Sequence, residues 1–177
     1  MLCTEVMFLF CQQVTRPRSG FMILRELLDS LGEIMFGRRK KNEALDRALI
    51  TDLLSRYTWA LVDGDWDTWQ KAFTPDAHVD YSTAGGPVGS PAVAAETFSG
   101  MMSMFDVSLS AGGNVAITFE NDDTAKVRSV YTMTMRIPGD QPTYMQASGW
   151  YNDTIVRTAN GWLISNRFEQ LAYVKPA

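Results

Sequence analysis

The chain has 177 residues, a formal net charge of -4 at pH 7 and 46% hydrophobic residues. This length suits one well-buried domain rather than two, and the composition is that of a globular protein rather than a disordered one. No basic patch interleaved with aromatic residues is present, which argues against nucleic acid as a partner.

Residues 1–40 differ in character from the rest of the chain. Their first apolar run is interrupted by Glu5, has no basic segment before it and no small-residue cleavage site after it, which disfavours a signal peptide. Residues 22–36 then place leucines at helical spacing ahead of the basic sequence GRRKK. Such a helix could contact an anionic membrane or a partner, although a dangling arm or an early start codon is the simpler interpretation. We therefore expect an N-terminal extension at 1–40, separable from a domain at 41–177.

The two cysteines, Cys3 and Cys11, both lie in this extension. No histidine or further cysteine is near them, so the sequence predicts neither a zinc site nor a disulfide framework. The rest of the chain lacks cysteine, which favours a reduced, cytoplasmic protein. No stretch reaches the roughly 20 apolar residues that span a bilayer.

Three helices are predicted at the start of the domain. Residues 44–62 carry apolar side chains at helical spacing, among them Leu45, Leu49 and Leu61. Asp65 is a natural N-cap for a short second helix over 66–73, which Pro75 ends. The third helix, over 92–105, is rich in small residues and methionine.

Strands dominate the remainder. Residues 77–83, AHVDYST, alternate between apolar and polar side chains and predict a short strand. Three long strand-like runs follow from residue 107, and Asn160-Gly161 predicts a hairpin into a final strand. Helices followed by an antiparallel meander predict an α+β fold, with the helices laid on one face of a strongly curved sheet.

The sequences RYTWALVDGDWDTWQKAFTPDAHVDY and SGWYNDTIVRTANGWLISNR, with the helix–strand order, resemble the SnoaL-like family of the NTF2-like superfamily. Scytalone dehydratase and bile-acid dehydratases are enzymatic relatives in that group. The resemblance extends over about residues 43–175. It implies a cone with an internal apolar pocket for a flat hydrophobic molecule, and a homodimer formed through the outer face of the sheet.

The same resemblance implies positions for an acid/base dyad, and this chain departs from the family there. The family's catalytic histidine falls at Ser110, its acidic residue at Val62 and the tyrosine beside that residue at Leu61. Asp63 takes the acidic position only if the alignment shifts by one residue. In scytalone dehydratase the tyrosine of a similar aliphatic-Asp-Tyr triplet lines the pocket, which implies that Tyr81 points inward.

His78, the only histidine, lies within a stretch rich in aspartate. Strand alternation places Val79 and Tyr81 on the apolar inner face and His78 on the other face, unless a bulge reverses them. Asp63, Asp65 and Asp67 surround a helix start, where carboxylates cap backbone N–H groups. They lack the pattern of a calcium-binding loop, so no metal site is predicted.

The candidate catalytic groups are therefore mainly hydroxyls: Tyr57, Tyr81, Ser110 and Tyr131, with His78 and Asp63 added only if either reaches the cavity. Phenols can donate hydrogen bonds to a carbonyl or an oxyanion, but they are poor bases at neutral pH. For each tyrosine taken alone, a core residue with a satisfied hydroxyl is the simpler interpretation.

Predicted ligand contacts are mostly apolar. Six methionines suit a pliable pocket as well as they suit an ordinary core: Met101, Met102, Met104, Met133, Met135 and Met145. The side chains predicted to contact ligand are Leu61, Trp66, Val79, Met133, Met135 and Trp150.

In the last two strands, alternation places Trp162 in the core and Arg167 on the opposite face of the sheet. Asp153 and Arg157 share a face of their strand, where they could form a structural ion pair.

Three functions remain open from the sequence. The first is a dehydratase or isomerase that acts without cofactor or metal on a polyketide-, steroid- or terpenoid-like molecule. The second is a binding protein that kept the pocket and lost the dyad. The third is an accessory subunit that works through the outer sheet face and the N-terminal helix.

Overall fold

The computed structural model describes residues 42–176. These residues form three α-helices, a single 3-10 turn at Ser82–Ala84 and six strands. The helices are α1 (Glu43–Asp63), α2 (Trp66–Gln70) and α3 (Pro91–Met102). The strands are β1 (Phe73–Asp80), β2 (Val88–Gly89), β3 (Val107–Asn121), β4 (Thr124–Ile137), β5 (Thr143–Thr158) and β6 (Gly161–Pro176).

Helix boundaries follow from local capping. The Asn42 side chain accepts a hydrogen bond from the Leu45 N–H at the start of α1, and Gly64 ends the helix with φ 67°. A left-handed residue at this position favours glycine, because glycine has no Cβ to clash. As predicted, Asp65 caps α2 by accepting a hydrogen bond from the Thr68 N–H at 3.0 Å. The start and end of α1 and the start of α2 are thus specified by the residues at those three boundaries.

The second helix is shorter than predicted and ends at Gln70. Strand pairing begins early: the Ile164 N–H donates to the Ala72 carbonyl at 2.9 Å, and Phe73 pairs with Ile164. Burial of Phe73 against the sheet therefore overrides the local helical preference of residues 71–73.

The six strands form one curved sheet in the order β2-β1-β6-β5-β4-β3. All neighbouring pairs are antiparallel except β1 and β6, which run parallel. The sheet is therefore mostly antiparallel, as predicted, with one parallel pair. The long β3–β4–β5–β6 meander supplies a broad wall, and α1 packs against β3 and β6. The α+β fold predicted from the helix–strand order is confirmed.

The core lies between α1 and the inner face of the sheet. Ile50, Leu53 and Tyr57 of α1 are buried there, together with Ile155 and Ile164 of the sheet. Leu45 and Leu49, predicted on the apolar face of α1, are instead 48% and 43% exposed. The buried stripe of α1 is narrower than the leucine pattern suggests.

A bulge at Ser165 changes which face of β6 is buried. Thr154 pairs with Asn166, whereas Ile155 pairs with Ile164, so Ser165 has no opposite residue. Because one extra residue reverses the alternation, the buried positions change from even numbers (162, 164) to odd numbers (167, 169). The prediction that Arg167 faces away from Trp162 is therefore wrong, and both side chains point inward.

The predicted Asp153–Arg157 ion pair is also wrong. Asp153 pairs with Arg167, while Arg157 pairs with Asp46 at 2.7 Å. Asp46 lies in the first turn of α1 and also accepts a hydrogen bond from the Trp162 indole N–H at 3.1 Å. Arg157 therefore joins the start of α1 to the hairpin at the end of β5.

Candidate functional site

A cavity of about 330 Å³ opens between α1, α3 and the inner face of the sheet. Its wall is mainly apolar, and its lining includes all six methionines singled out in the sequence. They come from α3 and the residues just after it (Met101, Met102, Met104), from β4 (Met133, Met135) and from β5 (Met145). Unbranched thioether side chains adapt to irregular shapes, so this wall suits an apolar ligand without a fixed outline.

The polar part of the cavity lies on one side, where four parts of the chain bring tyrosines together. Tyr57 of α1 and Tyr81, just after β1, have hydroxyls 2.9 Å apart. Tyr131 of β4 stacks on Tyr151 of β5 with ring centroids 4.7 Å apart. All four tyrosines line the cavity. Burial is the main cause that raises the pKa of Tyr81, Tyr131 and Tyr151 above the ordinary value, so these phenols stay protonated and act as hydrogen-bond donors.

Arg167 lies directly behind this tyrosine cluster and is fully buried. Its guanidinium binds Asp153 through two hydrogen bonds, at 2.8 and 2.6 Å. The rings of Tyr57 and Tyr151 lie on either side, each with its centroid 4.0 Å from the guanidinium carbon. The remaining Nη1 group has no hydrogen-bond partner within residues 42–176. Arg167 therefore holds the tyrosine rings in place, while its Nη1 group is not engaged by Asp153.

Glu169 is a site residue that sequence reasoning missed. Its side chain lines the cavity and the residue is 6% exposed. Burial is the largest cause that raises the pKa of its carboxyl, while the nearby Tyr131 hydroxyl and the Arg167 charge oppose that rise. Simple alternation from Trp162 puts Glu169 on the outer face, and only the bulge at Ser165 brings it inward. A bulge of this kind leaves no clear signal in the sequence NRFEQ.

Ser110, at the position of the family histidine, lines a second cavity of about 290 Å³ on the other side of the tyrosines. Tyr57, Tyr131 and Tyr151 line both cavities, so this cluster forms the partition between them. Ser110 is only partly buried and does not line the methionine-rich cavity. The structure therefore brings together three of the predicted hydroxyls (Tyr57, Tyr81 and Tyr131) and separates Ser110 from Tyr81.

The two acid/base candidates named from the sequence lie outside the methionine-rich cavity. His78 is exposed, while its neighbours Ala77 and Val79 are buried, as alternation predicts. Asp63 is exposed at the end of α1, beside a surface groove that Asp106 also lines. The Val62 side chain lies in the same groove, so the family's acidic position is not filled by a carboxylate inside the cavity.

Of the predicted ligand contacts, some line the methionine-rich cavity and others do not. Leu61, Met133 and Met135 line the cavity. Val79 is fully buried in the core, and Trp66 stacks on Phe98, a lining residue, at 6.5 Å between ring centroids. Trp150 lies on the opposite face of the sheet from Tyr151. Its indole N–H donates to Gln170 at 2.9 Å and its ring lies against Arg128, so it does not contact a ligand in this cavity.

No three histidine, cysteine, aspartate or glutamate side chains within residues 42–176 are grouped so that they could hold a metal ion. In the same part of the chain, no helix is both long enough and apolar enough to cross a bilayer.

Residues 42–168 match the family model for the SnoaL-like domain. The chain belongs to the SnoaL-like domain family. An uncharacterized protein of Mycobacterium tuberculosis strain H37Rv is 32% identical to this SnoaL-like chain over 133 residues, which is 75% of this chain and 90% of the relative. The family predicted from the sequence is confirmed.

Solved structures with the same fold include two enzymes by name. A Novosphingobium aromaticivorans protein provisionally assigned as a scytalone dehydratase has a TM-score of 0.69 and 20% identity, over 76% of this SnoaL-like chain and 89% of that one. Hexachlorocyclohexane dehydrochlorinase LinA-type3 from Novosphingobium barchaimii has a TM-score of 0.67 and 15% identity, over 76% and 92%. At these identities the comparison establishes the NTF2-like cone fold, and the chemistry has to be argued from the cavity.

Proposed function

We propose that this SnoaL-like domain binds a small hydrophobic molecule in the methionine-rich cavity and catalyses a cofactor-independent elimination of water or isomerisation. The observation that carries the proposal is the division of the cavity into an apolar methionine wall and one tyrosine-rich polar wall. Binding sites for small molecules commonly combine a mostly apolar lining with a few placed polar groups. Two structural neighbours, a dehydratase and a dehydrochlorinase, are named for eliminations.

The size of the cavity limits the substrate. A volume of about 330 Å³ lies near the lower end of the roughly 300–1,000 Å³ typical of ligand pockets. A compact polyketide-, steroid- or terpenoid-like molecule, or part of a larger one, fits this range. The apolar wall supplies affinity through burial of ligand surface, at roughly 25 cal/mol for each Å² removed from water.

The tyrosine pair supplies orientation. One of the two hydroxyls of Tyr57 and Tyr81 donates to the other at 2.9 Å. The accepting hydroxyl keeps its own proton, which it can donate to a carbonyl or developing oxyanion of the ligand. Where Tyr81 is the acceptor, its own proton remains available over the whole physiological pH range, because burial raises the pKa of Tyr81.

Titration with a neutral fluorescent naphthylamine tests the binding part of the proposal. Met135→Glu should weaken binding at least ~10-fold, because a carboxylate in the apolar wall must lose its hydration when ligand enters. Thr134→Glu is the matched control, since it adds the same charge one residue away on the opposite face of β4 and should bind like the parent. Equal affinity in all three proteins would show that this cavity is not the site.

A binding protein without catalysis is the alternative. It is favoured by Ser110 and Val62, which occupy the positions of the family's histidine and acidic residue. Such a protein would bind the naphthylamine in the same cavity, yet it would accelerate no proton transfer from a bound probe. Kinetic measurements on the same variants therefore separate the two functions.

We also propose a homodimer formed through the outer face of the sheet. Phe168 is 36% exposed on that face and lines the same surface depression as Arg128, whose guanidinium lies over the Trp150 ring. Light scattering of the parent and of Phe168→Glu tests this arrangement, and a parent protein that stays monomeric at high concentration would contradict it.

A further inference from the structure

Glu169 is held at the cavity by the 3-10 turn at Ser82–Ala84 and by strand β5. Its backbone carbonyl accepts a hydrogen bond from the Thr83 hydroxyl at 3.0 Å, and its pairing partner across β5 is Tyr151. The side chain points into the cavity beside Leu171, the next inward residue of β6. A position fixed on two sides suits a group that has to meet a bound molecule in one geometry.

The charge of Glu169 is not neutralised by an ion pair with any residue in the range 42–176. The groups that face it are Tyr131 from β4, Tyr151 from β5 and Arg167 from its own strand. Arg167 directs two of its nitrogens to Asp153, so its charge is already balanced. A buried carboxylate without a salt bridge is a stronger base than one in water, because desolvation disfavours its charged form.

Tyr131 is the hydroxyl neighbour of this carboxyl. Its hydroxyl is buried and makes no hydrogen bond of regular geometry to any residue in the range 42–176, and the Glu169 carboxyl lies near it. A hydroxyl in this position can donate to the carboxylate and steady it without removing its basicity.

We propose that Glu169 is the catalytic residue that moves protons in the cavity, and that the substrate is a carbonyl compound with an acidic C–H bond. This inference rests on the proposed function.

In an isomerisation the substrate is a β,γ-unsaturated carbonyl compound. The Glu169 carboxylate takes the proton from the carbon between the carbonyl and the C=C bond, and the electron pair passes to the carbonyl oxygen as an enolate. The carbonyl then re-forms, a C=C bond forms between the α and β carbons as the original C=C bond breaks, and the γ carbon takes the proton back from the carboxyl. In a dehydration the substrate carries a hydroxyl on the β carbon: the enolate pair forms the α,β C=C bond, the C–O bond breaks, and the carboxyl gives the proton to the hydroxyl, which leaves as water. Neither step needs an oxidant or a reductant.

The test uses 5-nitrobenzisoxazole, a flat aromatic probe of basic groups in apolar sites. A base removes its single proton on the isoxazole carbon, the electron pair completes a nitrile, and the N–O bond breaks to give a coloured phenolate. The full chain should accelerate this ring opening with a rate that rises with pH and levels off above the pKa of an ordinary glutamate. Glu169→Gln should be slower by at least ~100-fold, the usual loss when a working general base is removed.

Three further variants make the result specific. Glu120→Gln makes the same change at an exposed position of β3 and should leave the rate unchanged. Glu169→Asp should restore part of the rate, since it keeps a shorter carboxylate. Tyr131→Phe should shift the pH profile of the ring-opening rate to higher pH, because the tyrosine hydroxyl opposes the rise in the pKa of Glu169.

The outcomes separate the two proposals. Retained naphthylamine binding with loss of ring opening in Glu169→Gln supports the role of Glu169. Ring opening at the parent rate in Glu169→Gln, or no acceleration by a parent chain that binds naphthylamine, overturns that role and leaves the binding site in place. Absence of both binding and acceleration in the parent chain overturns both proposals.

Discussion

Asp153 and Glu169 are buried carboxyl groups on neighbouring strands, and their surroundings differ in one respect. Asp153 meets the Arg167 guanidinium through two hydrogen bonds, in a place where both side chains are fully buried. Glu169 lines a cavity and faces tyrosine hydroxyls, with no ion pair within residues 42–176. A balanced buried charge serves the fold, whereas an unbalanced one beside an empty space is available to a ligand.

The largest expected effect comes from breaking the balanced pair. Arg167→Leu leaves the Asp153 carboxylate buried without a counter-ion and removes the group between two tyrosine rings. Removing one partner of such a pair typically costs about 3–5 kcal/mol. Urea unfolding followed by tryptophan fluorescence measures the loss.

Arg56→Leu is the control for this experiment. Arg56 pairs with Asp52 at 2.8 Å, but both side chains are more than half exposed, and such pairs contribute roughly 0.5 kcal/mol or less. A double variant, Arg167→Leu with Asp153→Leu, should recover part of the stability, because the uncompensated charge is gone. Equal losses in Arg167→Leu and Arg56→Leu would contradict the structural role of the buried pair.

Asp46 is a third buried carboxyl group, at the other end of the sheet, and its surroundings are intermediate between those of Asp153 and Glu169. It accepts hydrogen bonds from Arg157 and from the Trp162 indole, but Arg157 is one-third exposed and also reaches Asp123 at 3.3 Å. Asp46→Ala leaves the indole N–H without this acceptor, which should cost about 1–3 kcal/mol, less than Arg167→Leu. Thermal unfolding at pH 7 measures it, and a loss larger than that of Arg167→Leu would reverse the ranking.

The elements of this fold are readable from the sequence because each is specified locally. Asn42, Asp65 and Gly64 cap or end helices through their own side chains or backbone, and Gly161 makes the last hairpin with φ 100°. The inward side of β1 is also readable, since Val79 and Tyr81 alternate with His78 without interruption.

The candidate site is less readable because a non-local irregularity decides it. Ser165 bulges only in the context of its partner strand β5, and this reverses the orientation of Arg167 and Glu169. The same reversal makes Arg167 the partner of Asp153, whereas Arg157 pairs with Asp46 of α1, so local spacing assigns both partners incorrectly. The methionines are a different case. Their number suggests an adaptable wall, but only the sheet and α3 together show that they share one cavity.

Glu169→Gln is expected to change the stability of the fold less than Arg167→Leu does, and to raise it rather than lower it. Burial raises the pKa of Glu169 in the folded chain above its value in the unfolded chain, so between the two values the folded state binds more protons. Stability contributed by this group is therefore present at low pH and is lost as pH rises through the folded pKa. Glu169→Gln lacks this loss and should be slightly more stable than the parent at pH 7, with the advantage shrinking toward pH 4.

Unfolding in urea at both pH values checks the sign at Glu169. Glu120→Gln again serves as the control, since an exposed carboxyl should show no such trend. Suppose instead that the stability of Glu169→Gln, measured relative to the parent at the same pH, is lower at pH 7 than at pH 4. The carboxylate would then be stabilised in the folded chain. It would then resemble Asp153 rather than a group left free for substrate.

The smallest expected effect is that of His78→Ala. The imidazole is exposed on the opposite side of β1 from Tyr81, which is 2% exposed and bonded to the Tyr57 hydroxyl inside the cavity. Losing a solvent-facing side chain changes stability by about 0.5 kcal/mol or less, and it should leave both naphthylamine affinity and ring opening of 5-nitrobenzisoxazole at parent levels. Tyr81→Phe removes a hydroxyl from the cavity wall and should reduce any elimination rate more than His78→Ala does. A loss of ~100-fold in rate for His78→Ala at unchanged stability would identify the imidazole as a general base and would move the reacting centre from Glu169 to the far side of this strand.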